Sequence, residues 1–133
     1  MAGKKELKKI LFAYSAGPQY GNGKGSYDLV QYLTSKLSGE FEILFPIIEQ
    51  PKSPTYEKFK IMFASSFAKI TEPVIVIGHS LGGSTLLKYL SEEETQMSIS
   101  VLFLVATPHW KSNMKAFELE KDFQTFLKNI PAI

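Results

Sequence analysis

One serine in this 133-residue sequence has distinctive neighbours. Ser80 lies in "GHSLG" (78–82), after the apolar run "VIVI" (74–77) and ahead of the helical pattern "LLKYL" (86–90). A serine on a tight strand-to-helix turn is held with its hydroxyl above the sheet edge, and small residues two before and two after let crowded backbones pass. Gly78 and Gly82 fill those two places. The helix that starts there aims free N–H groups and the positive end of its dipole at the same spot, which makes the N–H of Leu81 a candidate oxyanion donor. The chemistry implied is attack on a carbonyl carbon, with the charge on its oxygen held by backbone.

A serine hydroxyl is a weak nucleophile unless a base lies beside it. The sequence offers two histidines. His79 adjoins Ser80 and, on such a turn, points away from its hydroxyl; it is expected to pack or hydrogen-bond beneath the turn. His109 follows the fourth apolar run at the same sheet end and is the candidate base, since a triad is defined by geometry rather than chain order. The reading that the residues favour is plainer: His109 and Trp110 form an amphipathic loop lining the pocket. The two aspartates, Asp28 and Asp122, fall early in helical segments, where surface or capping roles are expected. With no cysteine and two histidines thirty positions apart, no metal-ligand spacing is present and no cofactor is expected.

The elements that must position these groups alternate. Four short apolar runs, "KILFAY" (9–14), "FEILFPI" (41–47), "PVIVIG" (73–78) and "SVLFLVA" (100–106), read as strands covered on both faces. Between them, Leu29, Val30, Leu33 and Leu37 follow Ser26 as N-cap and precede Gly39 as a C-terminal cap. "SPTYEKFKIMFASSFAKI" begins with a Ser-Pro cap and carries Tyr56, Phe59, Phe63, Phe67 and Ile70 on one face. Leu86, Leu87 and Leu90 mark a third helix, and Leu119, Phe123, Phe126, Leu127 and Ile130 a fourth. The alternation predicts a parallel sheet between helices, in one domain over 1–133 with a basic tail at 1–8.

Several functions are disfavoured. The net charge is +2 and all fifteen basic residues are lysines, so the guanidinium fork used for specific nucleic-acid recognition is missing. No run of about 18 apolar residues could span a membrane. "MAGKKELKKILFAYSAG" imitates a signal peptide, but its apolar stretch is broken by Tyr14 and Ser15; it reads as a tail feeding a strand, and a cytoplasmic home is the expectation. The loop "GPQYGNGKGSYD" (17–28) fails as a phosphate loop, with Pro18 in place of the first glycine and Gly25 in place of the hydroxyl residue. Its glycines are expected to shape a flexible loop over the Ser80 pocket.

The sequence resembles the α/β-hydrolase superfamily, and within it the small serine hydrolases of the retinoblastoma-binding-protein type. "ILFAYSAG" (10–17) looks like their strand and oxyanion loop, "FPIIEQPKSPTYEKFK" (45–60) like their second strand and Pro-rich turn, and "EPVIVIGHSLGGSTLLKYL" like their elbow. "VLFLVATPHW" (101–110) is similar to the strand and loop that follow, and "FELEKDFQTFLKNIPAI" (117–133) to the segment leading to the next strand. The resemblance implies a three-layer α/β/α core with four parallel strands in the order 2-1-3-4. It also implies a second oxyanion donor at the N–H of Ala16, although the family's His-Gly pair is replaced here by Tyr14 and Ser15.

In that family the acid and the histidine come from segments beyond the point matched by residue 133, so the resemblance is to a truncated hydrolase core with an incomplete triad. The expectation is a serine hydrolase of the carboxylesterase or amidase type, weak or incomplete as a lone chain, acting on a small ester or amide. Tyr14, Tyr20 and Trp110 would line an apolar pocket. The competing expectation is a non-catalytic binding or interaction module, or a fragment completed by another chain. An uncovered edge beside the fourth strand would invite a homo-oligomer or a complementing chain.

Overall fold

The computed structural model describes residues 7–15, 17, 19, 21–48, 53–93 and 98–106. Along the chain these form β1 (Lys8–Ala13), α1 (Tyr27–Leu37), β2 (Phe41–Leu44), α2 (Tyr56–Ala68), β3 (Val74–His79), α3 (Leu81–Glu92) and β4 (Ile99–Val105). The four strands make one parallel sheet in the order β2-β1-β3-β4, as the resemblance implies. The chain steps from β1 to β2 in one direction and from β2 to β3 and β3 to β4 in the other. Right-handed crossovers therefore place α1 on one face and α2 with α3 on the opposite face. The result is a three-layer α/β/α arrangement.

The strands read from the sequence are present with shifted ends. β1 starts at Lys8, a residue expected in the tail, because Lys8 pairs with Phe41 and its N–H reaches the carbonyl of Glu40. β2 stops at Leu44, before the Phe45-Pro46 step, since proline has no N–H for a ladder. Ile10, Leu11, Phe12 and Ala13 are buried along β1, which has a strand on each side and helices on both faces. Between β3 and β4 the register slips by one residue at Val74/Ile75, and Ser100 Oγ donates to the Val74 carbonyl there.

Two helix starts differ from expectation. α2 is capped by Thr55 rather than Ser53: Thr55 is extended, and its side chain accepts from the N–H of Lys58 at 3.2 Å. Ser26 does occupy the position before α1, yet its side chain makes no capping bond. At the other end of α1, Gly39 has φ +92°, the left-handed conformation that suits glycine after a helix.

The α2 face packs as its periodicity predicts. Phe59, Met62, Phe63 and Phe67 are buried, and Ile70 is buried just past the helix end. Phe63 lies 6.0 Å from Phe59 and 5.3 Å from Tyr89 between ring centroids, which couples α2 to α3. Each such side chain removed from water contributes about 1.5–3 kcal/mol, far above the roughly 0.2–1 kcal/mol of an exposed pair like Lys9–Glu42. The fourth helix expected near the end of the chain lies outside the described residues.

Candidate functional site

β3 delivers its last residues to the C-terminal edge of the sheet, and α3 begins immediately after. Ser80 is the single residue between them, with φ +53° and ψ −123°. A side chain with Cβ rarely adopts this conformation, which costs about 1–3 kcal/mol and persists only where the surroundings enforce it. The enforcing contacts are backbone ones. The Ser80 N–H donates to the Val105 carbonyl at 2.9 Å, extending the β3–β4 ladder by one step. Its carbonyl accepts from the N–H groups of Gly83 (3.0 Å) and Ser84 (3.4 Å), starting the helix.

Gly78 and Gly82 are where the turn is tightest. A Cβ on Gly78 would stand 2.5 Å from the Gly83 Cα, and one on Gly82 would fall on the carbonyl groups of Ala13 and Tyr14. The first turn of α3 thus presses on the end of β1, and only glycine fits. Leu81 is the first residue of α3, so helix geometry gives its N–H no acceptor inside the helix. The hydroxyl-bearing residue, an unpaired N–H and a helix dipole end are brought to one place, as the sequence suggests.

The other expected residues divide. Tyr14, expected to line the pocket, is instead a core residue: it is 0% exposed, packs edge-on to Phe45, and its hydroxyl accepts from the N–H of Ile48 at 2.6 Å. The polar end of a buried tyrosine needs such a partner, and the β2–α2 connection supplies it. Ala16, Tyr20, His109 and Trp110 lie outside the described residues, as does Asp122. Asp28 is exposed and accepts from the N–H of Gly23 at 2.8 Å, closing a turn before α1, a surface role and not a helix cap. An open cleft of about 360 Å³ lined by Lys9, Leu44, Phe45, Pro46, Ser66, Lys69 and Ile70 includes neither Ser80 nor Leu81.

His79 is turned toward α1, not toward a role as base. Its Nδ1 lies 2.7 Å from Ser26 Oγ, and burial holds its pKa below the usual 6.5. Ser26 in turn joins Ser15 and Gln19 in a buried polar cluster. Sequence reading missed this cluster. Hydrophobic periodicity reports helices and strands, and a glutamine among loop glycines carries no comparable signal.

A parallel sheet whose third strand turns through a strained serine into a helix is the setting in which a serine nucleophile is displayed above a sheet edge. The sequence agrees: the family termed Serine hydrolase matches residues 46–131, more than half of the chain, and the protein belongs to that family. Among solved structures, it is similar to the ydeN gene product from B. subtilis, with a TM-score of 0.59 and 16% identity. The superposition covers 76% of this chain and 52% of that one, so the chain spans about half the length of this neighbour. At such identity the likeness is one of fold. A comparison with curated proteins finds no match.

Two outcomes follow from this geometry. Glycine relieves the strain at residue 80, whereas alanine retains it. Equilibrium unfolding in urea should therefore find Ser80→Gly more stable than Ser80→Ala by about 1 kcal/mol, after glycine's own entropic cost; the reverse order would contradict a strained turn. For His79, both folded and unfolded chains hold the ring neutral well above pH 6.5. As pH falls below that value the unfolded chain takes the proton first, so stability declines until the lower folded-state pKa is reached. Melting temperature should thus fall between pH 7.5 and pH 5.5, and fall less in His79→Gln.

Proposed function

We propose that the protein is a serine hydrolase of the carboxylesterase or amidase type, with Ser80 as the nucleophile of an acyl-enzyme mechanism. The single observation that carries this reading is the Ser80 backbone, strained at φ +53° between β3 and α3. In this mechanism Ser80 Oγ attacks the acyl carbon, its proton passes to a base, and the alcohol or amine leaves with a proton returned. Water then attacks the acyl-serine and releases the acid. Leu81 N–H, with the N–H of Ala16 as the resemblance implies, would hold the oxyanion; one such donor contributes about 10²–10³ in rate.

The base is the open term of the mechanism. His79 is engaged with Ser26, so His109 is the proposed base, with Trp110 and Tyr20 proposed as pocket residues. In the family resemblance to the retinoblastoma-binding-protein type, an acid and a histidine follow the segment matched here. Without them Ser80 has only binding and backbone donors behind it, and turnover would be slow.

A second reading, an interaction module, draws on the sheet edge. Among the described residues β4 is the last strand of the sheet, its sequence "ISVLFLV" has no charge, and Phe103 and Val105 are 53% and 41% exposed. The opposite edge, β2, carries Glu42, ion-paired with Lys9 of β1. Charge on an edge discourages pairing and its absence invites it. We infer association there with a second copy or a complementing chain.

A fluorophosphonate probe followed by intact-mass analysis tests the first reading. One equivalent of label on the parent chain, lost in Ser80→Ala, is the expected result; loss in a folded His109→Ala as well would identify the base. A folded chain that takes no label would overturn the reading. Light scattering after size exclusion tests the second, with a mass above that of the monomer expected for self-association.

A further inference from the structure

The loop between β1 and α1 is closed by buried polar side chains for which the acyl-enzyme mechanism has no use. Gln19 is 0% exposed, and its three side-chain bonds to described residues all go to loop backbone. Its Nε2 donates to the carbonyls of Ser15 (2.7 Å) and Gly17 (2.8 Å), and its Oε1 accepts the N–H of Ser26 at 2.9 Å. Ser26, also 0% exposed, accepts the N–H of Ser15 at 2.9 Å, meets Ser15 Oγ at 3.2 Å and meets His79 Nδ1 at 2.7 Å. A hydroxyl has one proton and two acceptor places, and these three neighbours use all of them in either tautomer of the imidazole. Gly25 has φ +52°, and a Cβ there would collide with the Gln19 side chain.

Two features separate this cluster from ordinary loop closure. The residue before a helix normally turns its hydroxyl to the helix's own free N–H groups. Ser26 stands at that position and makes no such bond, so its side chain serves the loop and His79 instead. The cluster also ends one residue from Ser80. Ala13 pairs with Gly78 across the sheet, and the start of α3 presses on the carbonyls of Ala13 and Tyr14. The chain that leaves β1 at Tyr14 therefore lies beside the Ser80 turn.

We propose that Gln19 and Ser26 form a clamp that fixes this loop against the Ser80 turn, which makes them positioning residues for the proposed hydrolysis. Gln19 sets the loop's shape, and Ser26 ties that shape to the turn through His79. A buried, fully bonded network holds one geometry because any loosening strands several polar groups at once. The clamp rests on the reading of Ser80 as nucleophile, and the chain it holds lies on the β1 side of the Ser80 turn.

The test compares the parent chain with Ser26→Ala and, as a second and nearly isosteric lesion, Gln19→Met. Three quantities are read: amide hydrogen exchange over residues 15–26, the ¹⁵N signals of the His79 ring, and the rate of Ser80 labelling at saturating fluorophosphonate. In both variants, exchange in the loop should speed by about tenfold or more, while Leu11 and Val76 in the core strands stay unchanged. The His79 ring signals should shift in Ser26→Ala. Labelling should slow by at least about tenfold, toward the ~10² that a 1 Å misplacement can cost. Loop exchange unchanged in both variants overturns the clamp. Faster exchange with an unchanged labelling rate overturns its positioning role and leaves the nucleophile reading standing. A parent chain that takes no label overturns the nucleophile reading and with it the purpose assigned here, whereas the exchange data still report whether the loop is clamped.

Discussion

The close crossing of α3 over the end of β1 is the constraint on which the rest depends. Where the first turn of the helix meets the Ala13 and Tyr14 carbonyls there is no room for a Cβ, and Gly82 supplies none. Gly78 and Gly83 meet just as closely on the neighbouring strand. These contacts bring the helix start down onto the sheet, and the chain can make the turn only if Ser80 takes a positive φ. The strain is thus a consequence of packing, sustained by the burial of Leu81, Leu86, Leu87 and Leu90 along α3. Energy from an apolar core is held locally as a raised backbone, a common condition of residues placed for chemistry.

The same crossing organises the polar side of the site. With α3 seated low, its first N–H groups and dipole face the sheet's C-terminal edge, where α/β folds collect ligands. The Ser80 amide is taken by Val105, and the first N–H of α3, that of Leu81, is left for an incoming oxygen. On the far side, the loop after β1 is drawn in by Gln19 and Ser26 toward His79. In the reading proposed here, one serine is therefore set between a helix start and a braced loop. Each is positioned by contacts that involve no substrate.

Much of this was legible in the residues. The alternation of apolar runs with helical spacing predicts the four strands and the three helices described, because core-facing positions repeat with a strict period. Gly-His-Ser-Leu-Gly between a buried strand and a helix predicts the turn, since a steric requirement for two glycines leaves a mark in the sequence. What the residues hid follows from the same logic. Ser26 looks like an N-cap, and its commitment to Ser15 and His79 depends on a partner 53 positions away. Tyr14 looks like a pocket residue, and its burial is decided by Phe45, Phe59 and the Ile48 amide, which come from other elements. The Thr55 cap displaces the expected Ser53 because the extended backbone at Thr55 puts its hydroxyl on the Lys58 N–H. Contacts between residues far apart in the chain, such as those of Ser26 and Tyr14, have no period and so no sequence signal.

The central claim is that the turn presents Ser80 and the Leu81 N–H to one reacting group. A crystal structure of the chain carrying a phosphonate adduct addresses it most directly. The account predicts a bond from Ser80 Oγ to phosphorus, a positive φ at Ser80, and a phosphoryl oxygen about 3 Å from the Leu81 nitrogen. An adduct whose oxygen faces away from Leu81, or a Ser80 relaxed to an ordinary helical or extended backbone, would contradict it.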